Sequence, residues 1–468
     1  MNILLVIPKK FARSILPAPD IGLAYVARAA FDAGANVEIL DAHKDNITPE
    51  TFDNILKRKH YDLIGFKCLS VDFYAVLEYC RTIKRHNPNI ITVLGSYHPT
   101  ALPEDTMKHK EVDYVILGEG EMGISSLTKK LSYHQGNIPF EELSQIPCLV
   151  FRDKTDNNRI KTNPIALEEN LDKLGFPAWH LFKIEEYPEL PGETSRFLPI
   201  ITSRGCPALC TFCCTKMIHK SKIRTRSPEH VIKEMEWLAE NYDIQKISIF
   251  DDNFTFYKKH AMAICELYRQ NNIPVKFDIP QGIRIDKIDK ELLISLETAG
   301  CDYMGIGVES GVQKTLDVVR KGTAISDIKE KICLIKKYTK IRLIGFFVIG
   351  FPHETKDDIL KTIDFALKLK LDYATFTIFT PFPGTPLFNT MVEEGYFSTD
   401  TFNWENLLLD RTTYQHKNMD YSTLKMLQRN AYIRFYFRPS KIYFFYRILF
   451  KEKSFKSYFI RFTSILRK

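Results

Sequence analysis

The 468-residue sequence contains no apolar run approaching the ~18–20 residues needed to span a bilayer. Its apolar start, Asn2 to Pro8, is too short for a signal peptide, and Lys9 and Lys10 follow it rather than precede it. Both absences suggest a chain that stays in the cytoplasm, at most peripheral to a membrane. Evenly spread, paired cysteines are missing as well. Six of the ten stand singly in apolar or helical patterns (Cys68, Cys80, Cys148, Cys265, Cys301 and Cys333), as reduced buried thiols do. Acids almost disappear after Ala431: Glu452 alone faces ten Lys and Arg, so this end holds +9 and residues 1–430 are left at −1. A basic excess confined to one end gives no reason to expect nucleic acid as a partner. The same end holds thirteen Phe and Tyr, including Phe435-Tyr436-Phe437 and Tyr443-Phe444-Phe445-Tyr446. That blend suits a terminal helix packed on the body with snorkelling cations, a membrane interface or a polyanion.

Hydrophobic residues at 45% and charged residues at 26% describe a folded globular body too long for one core. The first 135 residues alternate β-rich runs (Asn2–Ile7, Val37–Leu40, Leu63–Phe66, Ile90–Leu94, Tyr114–Leu117) with helical patterns (Ile21–Ala33, Phe73–Arg85, Met122–Leu131). Such alternation predicts an α/β, Rossmann-like parallel sheet, with ligands beyond the carboxyl ends of its strands near Ser70, Gly95-Ser96 and Gly118-Glu119-Gly120. Residues 136–195 lose the rhythm and read as a linker. From 196 to 390 six strand–helix units suit a partial TIM-like (β/α)6 barrel, with chemistry at the strands' carboxyl ends. Residues 391–468 form a helical C-terminal extension, basic and aromatic from 431.

After the first barrel strand comes Arg204-Gly205-Cys206-Pro207-Ala208-Leu209-Cys210-Thr211-Phe212-Cys213-Cys214. Three thiolates at Cys-x3-Cys-x2-Cys can hold one corner of an iron–sulfur cubane and leave the fourth iron open for a substrate. A closed zinc site on Cys206, Cys210, Cys213 and either Cys214 or His219 competes with this, as do inert thiols.

This spacing, with an aromatic before the last cysteine, resembles the signature of the radical S-adenosylmethionine (SAM) superfamily. Similar to that superfamily too are Phe250-Asp251-Asp252-Asn253-Phe254, Gly282-Ile283-Arg284, Gly307-Val308-Glu309-Ser310-Gly311, Gly350-Phe351-Pro352 and Pro381-Phe382-Pro383-Gly384-Thr385-Pro386, each after a successive strand. The first domain resembles that of the cobalamin-binding branch, through Pro17-Ala18-Pro19-Asp20-Ile21-Gly22, Leu94-Gly95-Ser96-Tyr97-His98-Pro99 and Leu117-Gly118-Glu119-Gly120-Glu121, as does Phe176-Pro177-Ala178-Trp179. One departure is that no Asp-x-His-x-x-Gly follows the first strand; Asp41-Ala42-His43 lies after the second, with Asn46 in place of Gly, and reads as a coincidental loop.

The resemblance implies a 4Fe–4S cluster on Cys206, Cys210 and Cys213 that cleaves SAM to a 5′-deoxyadenosyl radical. It also implies cobalamin bound without a histidine ligand, near Ser70, Gly95, Gly118, Glu119 and Gly120. Asp251 or Asp252 would accept from the SAM ammonium, Arg284 would pair with its carboxylate, and Glu309 beside Ser310 would meet the ribose. Gly350 would let the backbone approach adenine. His98 reads as a satisfied surface histidine. The implied activity is cobalamin-dependent methylation of an unactivated carbon of a small-molecule or lipid-like substrate, with flavodoxin or ferredoxin as electron donor. Oxidation or ring formation, as in anaerobic magnesium-protoporphyrin cyclases, is the nearest alternative, and a non-catalytic zinc or corrinoid module the more distant one. A methylthiotransferase is disfavoured because the first domain has no second cysteine triad.

Overall fold

A computed structural model of the chain describes residues 1–9, 18–188, 196–407 and 413–441. It divides into two compact units: Met1–Tyr187 with Phe212–Arg224 and Pro381–Leu408, and the remaining described residues.

The first unit is built on a seven-stranded sheet. Strands Asn36–Asp41, Asn2–Ile7, Leu63–Lys67, Ile91–Gly95 and Tyr114–Ile116 lie side by side in that order, all parallel. The order reverses between Asn2–Ile7 and Leu63–Lys67, which makes this a doubly wound sheet whose ligand crevice opens at the carboxyl ends. Apolar runs such as Ile3–Ile7 are buried on both faces, as strands covered by helices on either side must be. Helix Ile21–Asp32 begins where Asp20 accepts from the Leu23 N–H, and helix Pro49–Leu56, not expected from the sequence, begins on a capping box of Thr48 and Thr51. Part of the segment expected as a linker joins the sheet: Leu149–Asp153 pairs antiparallel with Tyr114–Ile116, and Arg159–Thr162 pairs antiparallel with Leu149–Asp153. Segments 212–224 and 381–390, expected within the barrel, cluster with this unit instead.

The second unit carries six parallel strands laid down consecutively: Phe197–Ile200, Lys246–Ile249, Lys276–Ile283, Cys301–Glu309, Arg342–Ile349 and Tyr373–Ile378. Among the described residues the first and last do not pair, so the barrel is partial and open. Helices Pro228–Asn241, Lys290–Thr298 and Lys356–Lys368 start on side-chain caps from Ser227, Asp289 and Thr355.

Helix Tyr421–Tyr436 covers the open edge at Tyr373–Ile378 by hydrogen bonding as well as by packing. Gln428 Nε2 donates to Phe376 O at 2.7 Å and Tyr432 Oη accepts from Phe376 N at 3.1 Å. Tyr436 Oη accepts from Ala374 N at 3.2 Å and donates to Ala374 O at 2.9 Å. Residues 428, 432 and 436 lie one helical turn apart on one face, so a single stripe satisfies backbone groups that an edge strand would otherwise leave to water or to another chain. Phe435 is buried beside them, with Arg438 4.2 Å and Lys441 5.6 Å from its ring centre, and burial pushes the Lys441 ammonium down to about 8. The described part of the basic, aromatic end is therefore helix packed on the body with snorkelling cations; Tyr443-Phe444-Phe445-Tyr446 and the rest lie outside the described residues.

Tyr436→Phe removes both hydrogen bonds to Ala374 and is expected to lower unfolding stability by about 1–3 kcal/mol. Urea denaturation should show this loss, while Met426→Leu, on an exposed residue of the same helix, leaves the midpoint unchanged.

Candidate functional site

The cysteine loop is anchored before it begins. Asp251, with 1% of its surface exposed, accepts from Thr202 N at 2.6 Å, Thr202 Oγ1 at 2.5 Å and Ser203 Oγ at 2.6 Å. Burial pushes this carboxyl up to about 6 against the pull of those donors. Its neighbour Asp252 accepts from Gly205 N at 3.0 Å, immediately before Cys206. The two acids assigned from the sequence to the SAM ammonium thus hold the chain that leads into the loop. Arg226, also buried, donates to Ile201 O at 2.9 Å and pairs with buried Glu234 behind the same strand. At the far end of the Cys206–Cys210 span, Thr211 N donates to Val319 O at 3.0 Å.

The thiols themselves are accessible: Cys206, Cys210 and Cys214 are partly exposed, Cys213 is exposed, and none is in a disulfide. Among the described residues no three Cys, His, Asp or Glu side chains converge into a ready metal cage. His219, the other candidate for a zinc site, is engaged elsewhere, with Nδ1 2.6 Å from Glu119 Oε1. The donor set fits an iron–sulfur cluster by its chemistry, three accessible thiols within eight residues on a loop fixed at both ends.

A pocket of about 500 Å³ opens beside this loop, lined among others by Pro207, Leu209, Phe256, Arg284 and Lys321. Arg284 is held in place by Asp286 at 3.0 Å and by the carbonyls of Lys321 and Gly322 at 2.8 and 3.0 Å. Glu309 ends its strand with φ of 62°, a left-handed conformation costly for any residue with a Cβ, and its Oε1 lies 2.8 Å from Lys321 Nζ. Burial opposes the Lys321 charge, but Glu309 and nearby Cys210 outweigh it and leave the ammonium above its ordinary value. A Cβ on Gly307 would come within 2.7 Å of Glu309 Oε1 and 2.8 Å of Lys321 Nζ, so the ion pair can fold over the strand only at a glycine. Ser310 is fully buried, shares a 3.0 Å hydrogen bond with Thr362 and caps Val312 N, which ties it to the fold.

Three residues escaped the sequence reading. Lys321, buried between Glu309 and the cysteine loop, carried no signal beyond standing before Gly322. Asn253 is 2% exposed and both atoms of its amide lack a hydrogen-bond partner among the described residues. It follows the two acids that anchor the loop, and a buried amide left unmet costs about 1–3 kcal/mol, which a ligand with one donor and one acceptor would return. The Asp-Asp-Asn run was read for its carboxylates alone. Glu354 is buried, accepts from Gly350 N at 2.8 Å and Phe351 N at 3.0 Å, and is pushed by burial up to about 7. Gly350 itself has φ of 80°, and a Cβ there would meet Leu424 at 2.9 Å, so its open side is filled by the C-terminal helix.

In the first unit, the loops after the third, fourth and fifth parallel strands carry the other expected residues. Ser70 Oγ lies 3.0 Å from His98 Nδ1. His98 is not a surface residue: it is fully buried beside Phe73 and Trp404, burial pushes it down to about 3, and its Nε2 has no partner among the described residues. Gly118 and Gly120 have φ of 71° and 95°, conformations that favour glycine, and a Cβ on either would lie 3.1 Å from Ile165 or Val26. Gly95 has ordinary space around it. Glu119 bonds to His219 and, through both oxygens, to the buried Arg224, so its carboxylate fixes the segment that follows Cys213. Asp41 accepts from Lys44 N at 3.0 Å and Tyr187 Oη at 2.8 Å, in keeping with a structural loop. The glycine-lined turns and the orphaned His98 nitrogen, at the carboxyl ends of a doubly wound sheet, suit a large polar cofactor.

Residues 200–366 match the Radical SAM superfamily and residues 12–127 the B12 binding domain. The chain is 30% identical over 445 residues to an uncharacterized methyltransferase of Pyrococcus horikoshii, covering 94% of this chain and 93% of the relative. It is 26% identical to the anaerobic magnesium-protoporphyrin IX monomethyl ester cyclase of Cereibacter sphaeroides, covering 92% and 69%. Its fold matches the radical SAM methyltransferase TsrM of Kitasatospora setae, solved with cobalamin and a [4Fe-4S] cluster bound, with a TM-score of 0.68, 19% identity and coverage of 84% and 78%.

Two outcomes follow from the buried groups. In ligand-free protein, Asn253→Leu is expected to raise unfolding stability by about 1–3 kcal/mol by removing the unmet amide, as read from urea denaturation. Glu354 keeps its proton to about pH 7 in the folded state but only to its ordinary value near 4.5 when unfolded. Its contribution is therefore complete below about 4.5 and lost as pH rises to about 7. The stability of wild type relative to Glu354→Gln, measured by urea titration, should fall across that window.

Proposed function

We propose, since the chain belongs to the radical SAM superfamily and carries a B12 binding domain ahead of the radical SAM domain, that it is a methyltransferase acting on an unactivated carbon. Its cofactors are a 4Fe–4S cluster, SAM and cobalamin. The observation that carries the reading is the three-thiol loop, fixed by Asp251 and Asp252 beside a pocket that holds two cations. When bound, the cluster supplies the electron that cleaves SAM, the cleavage supplies a hydrogen-abstracting radical, and cobalamin supplies the methyl group.

In this reading Cys206, Cys210 and Cys213 ligate the cluster. Lys321 and Arg284 attract the carboxylate of SAM, and Asn253 meets its amino acid end in place of the two loop-anchoring acids. Glu309 accepts from the ribose hydroxyls, with Ser310 stiffening the turn behind it. The Gly350 loop faces adenine by shape, because the N–H groups of Gly350 and Phe351 are already given to Glu354. The turns at Ser70, Gly95, Gly118 and Gly120 receive cobalamin, and Glu119 supports them from behind through His219 and Arg224. A low-potential flavodoxin or ferredoxin supplies the electrons. Methyl transfer is supported by the relative from Pyrococcus horikoshii, a methyltransferase by name that matches over nearly the whole of both chains. Oxidation or ring closure is the second reading, supported by the match to the Cereibacter sphaeroides cyclase. Peripheral membrane contact is assigned to the outward face of helix Tyr421–Tyr436, where Met426 and Ile433 are exposed, followed by Phe437.

Anaerobically reconstituted wild type should hold about four irons per chain and release 5′-deoxyadenosine from SAM; Cys206→Ala should do neither. Lys321→Met should keep the iron and raise the KM for SAM at least tenfold. With substrate present, S-adenosylhomocysteine formed alongside 5′-deoxyadenosine indicates methyl transfer, and 5′-deoxyadenosine alone indicates oxidation or cyclisation. Flotation with anionic liposomes, lost in a chain carrying Met426→Asp and Ile433→Asp on the exposed face, is the expected outcome for the membrane assignment.

A further inference from the structure

We infer that residues Tyr414–Asn418, beyond the barrel, are a positioning strap that sets the shape of the loop Gly350–Glu354 and with it the affinity for SAM. The inference rests on the reading above that this loop receives the adenosyl part of SAM. Three side chains of the strap each donate to one carbonyl of the loop. Tyr414 Oη donates to Gly350 O, His416 Nε2 to Phe351 O at 2.9 Å, and Asn418 Nδ2 to Glu354 O at 3.0 Å. Tyr414 and His416 are buried, while Gln415 and Lys417 between and beyond them are exposed, so alternate residues of a short segment face the loop.

The bonds fix protonation as well as position. His416 Nδ1 accepts from Asn418 N at 3.0 Å, which requires the hydrogen on Nε2, where the Phe351 carbonyl takes it. On the other side the Glu354 carboxylate takes both N–H groups of Gly350 and Phe351. Gly350 and Phe351 are therefore each held by main-chain donor and acceptor at once, from two directions. Leu424 closes the remaining space above Gly350, and the Tyr414 ring packs 6.0 Å from Phe379, which in turn lies 5.0 Å from Phe351. A five-residue connection without regular structure would sample many shapes; bonds from a segment more than sixty residues later leave it one. Holding a ligand surface in its bound shape before the ligand arrives improves affinity without any new contact.

The test uses the anaerobically reconstituted full chain, with SAM as the probe in equilibrium dialysis and in steady-state formation of 5′-deoxyadenosine. Tyr414→Phe and His416→Leu should raise the Kd and KM for SAM five- to tenfold, with iron content and kcat at saturating SAM within twofold of wild type. His416→Gln, whose amide can again donate to Phe351 O, should recover most of the affinity. An unchanged Kd in both Tyr414→Phe and His416→Leu would overturn the strap. So would a parallel loss of iron, unfolding midpoint and affinity that His416→Gln does not relieve, because that marks a merely structural segment. Wild type that holds its cluster but binds no SAM would instead remove the reading on which the strap depends.

Discussion

Asp251 accepts three hydrogen bonds from Thr202 and Ser203 in a place almost without water, and this fixes where the cysteine loop starts. A carboxylate buried alone would shed its charge at a large cost; one that receives three donors is held in place by them and holds them in return. Loss of this group would orphan a main-chain N–H and two hydroxyls at about 1–3 kcal/mol each, so the strand end, the loop and the site stand or fall together. Asp252 extends the same logic by one peptide to Gly205, and the Arg226–Glu234 pair supports the strand from behind. The exposed and partly exposed thiols thus hang from a chain that is held at its root.

The pocket beside the loop shows how a charged site is stored before a ligand arrives. Lys321 and Glu309 neutralise one another in a nearly dry place, at the cost of a left-handed Glu309 and a glycine at 307. An incoming molecule with both a carboxylate and hydroxyl groups can divide the pair, offering the ammonium an anion and the carboxylate donors, with little net desolvation. Asn253 is the opposite case, an amide with no partner among the described residues, which a ligand offering a donor and an acceptor would satisfy. One device protects the charges while the other favours occupancy.

Strand and helix alternation was legible because parallel strands buried on both faces leave unbroken apolar runs, whereas the side-chain caps of Asp20, Ser227 and Asp289 came from the structure. All six expected barrel strands are present between residues 196 and 390. The hairpin Leu149–Asp153 and Arg159–Thr162 was not legible: the polar turn that joins its strands reads as a linker, and only pairing with Tyr114–Ile116 makes it sheet. The cysteine spacing marked the candidate site but left zinc open, and only the motifs after the other barrel strands tipped the reading toward an iron–sulfur cluster. The tasks of Asp251, Asp252 and Glu119 could not be read in advance, because a carboxylate aimed at backbone and one aimed at a ligand have the same letter. His98 looked like a surface residue for a similar reason, since burial depends on Phe73 and on Trp404, more than three hundred residues later.

An open sheet of six strands must do something with its last edge. Here Gln428, Tyr432 and Tyr436 bond the outward groups of Ala374 and Phe376, so the extension supplies through side chains what a seventh strand would supply through backbone. That choice has a consequence for the site. A neighbouring strand would meet the sheet only along its edge, whereas a helix begun at Asp420 brings its preceding residues, Tyr414 to Asn418, over the carboxyl end of Arg342–Ile349 and onto the Gly350 loop. The cover for the edge and the support for the loop are thus one continuous segment. Residues 414–436 of the extension belong to the barrel as fully as any of its strands.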